Sequence, residues 1–200
     1  MREDAIDLAL QKWLAGERIE VAALATELGV GRATLFRWIG SRELLVGEVL
    51  WVLLSNVWAR ATRDSRGSLA DYAADVSYRV MSEVLAFEPF RRFLDQDPEY
   101  ALRVLMSKDS PVQSRIIAEV RKVVCEHVEV NRVRLMLDID DLAYILVRIV
   151  ESCMYSDQIA GRKPKLEAAR DAIRILVSAQ VPSLPLRRAR SKTDQGRTRG

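Results

Sequence analysis

The stretch VAALATELGVGRATLFRWIGSR, Val21 to Arg42, decides the fold. Val21, Leu24, Ala25 and Leu28 recur at intervals of three and four and so line one side of a helix. Gly29 stands where a left-handed residue would end that helix, and Val30 fills the turn. Gly31 is placed as an N-cap, without the side-chain oxygen that Ser would supply. A second helix then runs from Arg32 to about Ile39, with Leu35 and Ile39 turned inward and Arg32, Ala33, Phe36 and Arg37 facing out. Gly40 stops it and Ser41 caps the next. From Gly31 to Arg42 there are three arginines and no acidic residue.

Upstream, a first helix from about Asp4 to Ala15 places Ile6, Leu10, Trp13 and Leu14 on one side, and Gly16 ends it. Downstream, Arg42 to about Thr62 reads as one long helix in which Leu44, Leu45, Val49 to Leu54, Val57 and Trp58 leave almost no polar face. Such a helix must be covered on most sides and would join the N-terminal unit to a second core. Breakers then divide the chain into Leu69 to Phe87, a short piece after Pro89, Glu99 to Met106, and Val112 to about Val130. Asp138, Asp140 and Asp141 suit the N-terminal end of a helix continuing to about Ala160. A last helix, Lys165 to Gln180, follows Gly161 and Pro164. Strand signals are weak throughout, so the expected fold is all-α. It comprises a three-helix unit at 1–47, a helical body at 48–181, and a basic tail at 182–200 whose lack of periodicity predicts disorder.

The 200 residues, 49% of them hydrophobic, suffice for a packed core. No uncharged apolar run of about 18 residues occurs, and Met1 to Asp4 are charged rather than leader-like, so a cytoplasmic protein is expected. Cys125 and Cys153 lack the close spacing of a zinc or dithiol motif and read as reduced structural thiols. His127 is the sole histidine and reads as a partly exposed helix residue. With no Gly-rich phosphate loop and no assembled nucleophile or base, the expectation is no metal, no cofactor and no catalysis. The net charge of +3 is uneven. The tail after Leu186 carries six basic residues against one acid, which leaves the rest of the chain slightly acidic. Residues 1–47 themselves hold six basic and seven acidic residues. A case for nucleic acid therefore rests on the local run from Gly31 to Arg42 alone.

The final two helices are broadly apolar. Leu142, Ala143, Ile145 to Val147, Ile149, Val150, Cys153 and Met154 fill an arc of about 200°, roughly twice what one core requires. Ala168, Ala169, Ala172, Ile173, Ile175 to Val177 and Ala179 fill a similar one. The same helices of a second copy would bury the spare faces in a four-helix interface, so a homodimer is expected through Ala143, Val147, Val150 and Met154 with Ala168, Ala172, Ile175, Leu176 and Ala179.

The pattern L24-A25-x-x-x-G29-V30-x-x-x-T34-L35-F36-x-W38-I39-x-S41-R42 closely resembles the helix-turn-helix of the tetracycline-repressor (TetR) family of bacterial transcription regulators. The plan of a three-helix head, a connecting helix and a helical body is similar too. RATLFRWIGSRELLVGEVLW, PFRRFLDQDPEYALRVL and SPVQSR more narrowly resemble the subgroup named for a regulator of quorum-signal degradation (QsdR). The resemblance implies a ligand-responsive repressor of a palindromic double-stranded DNA operator. Arg32, Ala33, Phe36 and Arg37 would meet base edges, and Thr34, Trp38 and Arg42 would grip phosphates. Phe36 stands where Tyr is common, Gly31 replaces the usual Ser, and Glu20 and Val21 occupy a place where Thr often touches phosphate. Fewer phosphate contacts than the family norm are expected.

The resemblance also implies an effector cavity in the body, for which the candidates are Trp58, Tyr78, Phe87, Phe90, Met106, Tyr144, Arg148, Glu151 and Tyr155. Arg148 and Glu151 could equally form a surface i, i+3 pair. Two other functions fit the residues less well: a helical dimerisation scaffold with a vestigial reading helix, and a small-molecule enzyme.

Overall fold

The computed structural model describes residues 1–180, and among these the chain is helical with no strand. The helices are α1 (Arg2–Leu14), α2 (Val21–Glu27), α3 (Arg32–Ile39), α4 (Arg42–Asp64), α5 (Leu69–Ala86), α6 (Glu88–Gln96), α7 (Pro98–Met106), α8 (Pro111–Asn131), α9 (Ile139–Met154), α10 (Ser156–Ala160) and α11 (Leu166–Gln180). The expected tail at 182–200 lies outside the described residues.

Local chemistry sets most of these boundaries. Ser41, Ser68, Asp97, Ser110 and Asp138 each accept a backbone N–H in the first turn of the helix that follows. Caps of this kind contribute about 1 kcal/mol apiece. Pro98 and Pro111 begin their helices where a missing N–H costs nothing. The long helix expected to reach Ala160 is instead interrupted at Tyr155, which ends α9 and begins α10. There the Ser156 hydroxyl donates to the Arg162 carbonyl, tying the start of the short α10 to the residue just past Gly161.

Around α4 the head and body share one core. The inward stripe of α1 is Ala5, Ala9 and Trp13; Ile6 and Leu10 flank it, and Leu14, expected inside, is 43% exposed. Alanines at two of the three buried positions let α1 lie close to α4, and Trp13 reaches past them to stack near Phe87 and Phe93. The first half of α4 is buried through Leu45, Val46, Val49 and Leu50. A second cluster gathers Leu69, Ala74, Val124, Leu142, Leu146, Ile173 and Val177 from α5, α8, α9 and α11. By length and apolarity α4 could also cross a membrane. Here its Glu48 accepts hydrogen bonds from Arg2 of α1 at 2.8 Å and from both terminal nitrogens of Arg115 of α8 at 2.7 and 2.8 Å.

Gly47 lets α8 approach α4. A Cβ built on it would stand 2.6 Å from Cγ of Pro111, a rigid ring at the start of α8. Alanine in a helix interior ordinarily gains up to about 1 kcal/mol over glycine, whereas overpacking costs about 1–3 kcal/mol. Gly47→Ala should therefore lower the urea midpoint with an unchanged m-value, and a raised midpoint would refute the close contact.

Candidate nucleic-acid interface and buried cavity

The turn before α3 is built by the backbone. Val30 donates to the Ala25 carbonyl at 2.9 Å and Gly29 to Thr26 at 3.1 Å. Gly29 has φ of +67° with open space where a Cβ would go, so its requirement is conformational rather than steric. Gly31 caps α3 without a side-chain bond. Leu35 and Ile39 lie in the core beside Val21, Leu24 and Ala25, which fixes the angle between α2 and α3.

That anchoring leaves Arg32, Ala33, Phe36 and Arg37 exposed along α3, with Phe36 40% accessible. Arg37 donates to the Thr34 hydroxyl at 3.4 Å, which holds both on one side of the helix. Trp38 is half-buried against the core. Among the described residues neither Arg32 nor Arg37 is in an ion pair, whereas the other cations of the head are engaged. Lys12 bridges Glu17 and Glu27, Arg18 meets Glu20, and Arg2 meets Glu48. The acids of residues 1–47 are thus partly neutralised away from α3, and its outward face keeps its positive charge.

Arg42 is placed differently from the other predicted contacts. Its Nε donates to the Ile19 carbonyl at 2.7 Å, and its guanidinium lies 4.7 Å from the centre of the Tyr100 ring. It therefore ties the start of α4 to the segment before α2 and to α7. Nothing in the sequence signalled this role, because Ile19 and Tyr100 are distant along the chain.

A cavity of about 540 Å³ lies between α4, α5, α8 and α9. Of the candidate residues, Trp58, Phe87, Phe90, Glu151 and Tyr155 are on its wall, and Tyr78, Met106, Tyr144 and Arg148 are not. Tyr78 donates to Glu167 at 3.3 Å beneath Arg170 and so joins α5 to α11. Met106 packs on the first core. Tyr144 is 51% exposed on the outer side of α9 with Arg148 over its ring. Much of the wall is aliphatic, including Leu53, Leu54, Val57, Val120 and Val123, which no sequence signal separates from ordinary core. Arg148 and Glu151 do form an ion pair, but Glu151 is only 8% exposed, so it is not a surface pair. Burial pushes the Glu151 carboxyl up to about 7, outweighing the opposing pull of Arg148.

The expected dimer faces also need correction. Ala143, Val147 and Met154 are buried within the chain itself and Val150 lines the cavity. Much of the apolar arc of α9 is covered internally, because the helix packs against α5, α8 and α11, while Ile145, Ile149 and Cys153 are half-buried. On α11, Ala168, Ala172, Ile175 and Ala179 are exposed, Ile175 by 70%, while Leu176 is half-buried against the second core.

A short helix pair with an outward α3, a connecting α4 and a hollow helical body define a helix-turn-helix regulator architecture. The family model for the C-terminal domain of tetracyclin repressor-like proteins matches residues 70–178, and the chain belongs to the tetracycline-repressor (TetR) family. The structure of the transcriptional repressor QsdR of the TetR family, from R. erythropolis, is 29% identical and superposes with a TM-score of 0.83. That match covers 92% of this chain and 97% of that one. A Rhodococcus sp. chain assigned to TetR-family transcriptional regulators shares the fold at 18% identity and a TM-score of 0.50, covering 90% and 98% of the two chains. Among curated protein sequences none matches significantly.

The Glu151 carboxyl links stability to pH. Its folded value of about 7 lies above the ~4.3 of an unfolded glutamic acid, so the native state holds the extra proton between them. The stability carried by that proton is complete below the unfolded value and is lost as pH rises through about 7. Relative to wild type, Glu151→Gln should gain stability from about pH 4.5 to about pH 7, by no more than ~1.4 kcal/mol per pH unit. Urea titrations at several pH values check this, and parallel pH profiles for the two proteins would contradict it.

Proposed function

We propose that this chain is a DNA-binding transcriptional regulator, a ligand-responsive repressor that binds a short, roughly palindromic operator as a homodimer in the cytoplasm. The observation that carries it is the outward face of α3, where Arg32, Ala33, Phe36 and Arg37 are exposed and neither arginine is in an ion pair among the described residues. Residues 1–47 form the reading head and 48–181 the body that binds the effector and the second copy. The 29% identity to QsdR over most of both chains supports placement in that subgroup.

Arginine can address guanine through two hydrogen bonds, and Ala33 and Phe36 can lie against thymine methyl groups. Thr34 and Trp38 are positioned to add phosphate contacts beside them. Arg42 has five N–H donors, of which the Ile19 bond takes one, so it can serve a phosphate while holding α4. The second copy packs on the exposed stripe of α11, Ala168, Ala172, Ile175 and Ala179, continued by the outer side of α9 at Tyr144, Arg148 and Ser152. Small residues allow the two α11 helices to approach closely, and the resulting twofold sets the two α3 helices about 34–36 Å apart, or a multiple of that. An effector in the cavity releases DNA to the extent that it binds better to a conformation whose spacing misfits the groove.

Selection of bound fragments from random DNA by the purified protein tests the whole reading, and failure to enrich a two-fold symmetric site would overturn it. Arg37→Ala should relax preference at one base position per half-site, by about 1–3 kcal/mol. Arg42→Ala should weaken all DNA alike, flatten the salt dependence by about one phosphate, and lower Tm through loss of the Ile19 bond. Ile175→Glu should sediment as a folded monomer and lose operator affinity; a dimeric variant would place the interface elsewhere.

A further inference from the structure

We propose that the cavity between α4, α5, α8 and α9 selects an uncharged amphiphile, a hydrocarbon body carrying one neutral hydrogen-bonding end group that sits against Glu151. This deepens the effector-binding reading given above and rests on it. The size suits a small lipid-like molecule, since ligand pockets run to about 300–1,000 Å³. The wall is formed chiefly by aliphatic and aromatic side chains such as Leu54, Val57, Trp58, Phe87 and Val150, which reward an apolar body.

The polar groups of the wall narrow the choice of end group. The Tyr72 hydroxyl already donates to the Thr62 carbonyl at 3.0 Å, and the Asn56 amide to Val52 at 3.0 Å. Arg60 and Glu83 pair with each other, and both side chains are nearly half exposed, which places that charge at the solvent side. Glu151 is the charged wall residue that is buried, with Tyr155 beside it at 5% exposure. Its partner Arg148 is not on the wall. Arg148 lies on the neighbouring turn of α9 over the ring of the exposed Tyr144, so the carboxyl is backed by a cation from the outer side of the helix.

Charge therefore selects the ligand. An anionic end group would surrender its hydration in an apolar wall that offers it no free cation, since Arg148 is already paired with Glu151. A cationic one would surrender its hydration to face a carboxyl whose charge is already answered by Arg148 or by a proton. A neutral hydroxyl, ester or amide pays least on entering. Glu151 can accept from a hydroxyl or an amide N–H when ionised, and can donate to any of the three when protonated. Burial, which brings the titration of that carboxyl close to physiological pH, makes both forms accessible.

The test uses three probes with one chain length, 1-octanol, octylammonium and octanoate, titrated calorimetrically into the full-length protein at about pH 7.5. Octanol should bind at least about tenfold more tightly than either ion. In Glu151→Gln the backing Arg148 is left unopposed, so octanoate should improve about tenfold or more relative to octanol. Val57→Trp, which fills the cavity, should abolish octanol binding. A wild-type preference for octylammonium or octanoate overturns the proposal and leaves effector binding standing. Unchanged octanol binding by Val57→Trp places the ligand elsewhere and overturns it as well. If none of the three probes binds the wild type or shifts its Tm, the reading of the cavity as an effector site fails with it. The wild-type ranking decides the matter even if a variant does not fold.

Discussion

Glu48, on the second turn of α4, holds the head and the body in register. One carboxylate accepts from Arg2 of α1 and, in a fork of two bonds, from Arg115 of α8, with its side chain only 14% exposed. The Arg115 bonds keep its carboxyl below the usual glutamic acid range against the opposing effect of burial. A half-buried charge on an otherwise apolar helix would be costly alone. Answered from both sides, it specifies which face of α4 meets α1 and which meets α8. Gly47, one residue earlier, permits the close approach of Pro111 that brings Arg115 within reach. On the preceding turn Arg42 adds a third tie, to Ile19 and Tyr100.

The two halves of α4 consequently differ. Its first turns are pinned by charged contacts and by Leu45, Val46, Val49 and Leu50 in the core. Its later turns, from Leu53 to Trp58, border the cavity on one side, while Leu54, Val57 and Trp58 pack against Val76 and Val80 of α5 on the other. A ligand filling that void would supply contacts the wall lacks. The head is attached at the first turns, through α1 and the segment before α2. Any reorientation of α4 is thereby carried to α3 by short, specific contacts rather than through a flexible linker.

The fold was legible from local signals, and so was the exposure of the outer face of α3. The i, i+4 spacing of Leu35 and Ile39 and the glycines at 31 and 40 set the bounds of α3 without reference to anything distant. The interior of the body was not legible in the same way. Apolar periodicity states that a face is covered but not by what. The arc of α9 was assigned to a second chain when Ala143, Val147 and Met154 are already buried within this one. Cavity wall and core draw on the same residue types, so Leu53 and Val120 carried no mark, while Tyr78 and Tyr144 suggested a pocket they do not line. The break at Tyr155 lacked a glycine or proline to announce it.

Charge placement reconciles an acidic head with a surface suited to DNA. Seven acids in residues 1–47 would repel a polyanion if their field were uniform. Ion pairs make it uneven: Lys12 lies between Glu17 and Glu27, Arg18 against Glu20, and the chain's amino terminus against Asp4. Exposed pairs of this kind add little stability. Their consequence here is electrostatic, since each acid so paired subtracts less from the potential around Arg32 and Arg37. Charge that the sequence as a whole nearly cancels is thus concentrated on one helix, and its sign there depends on the pairing of residues elsewhere in the head.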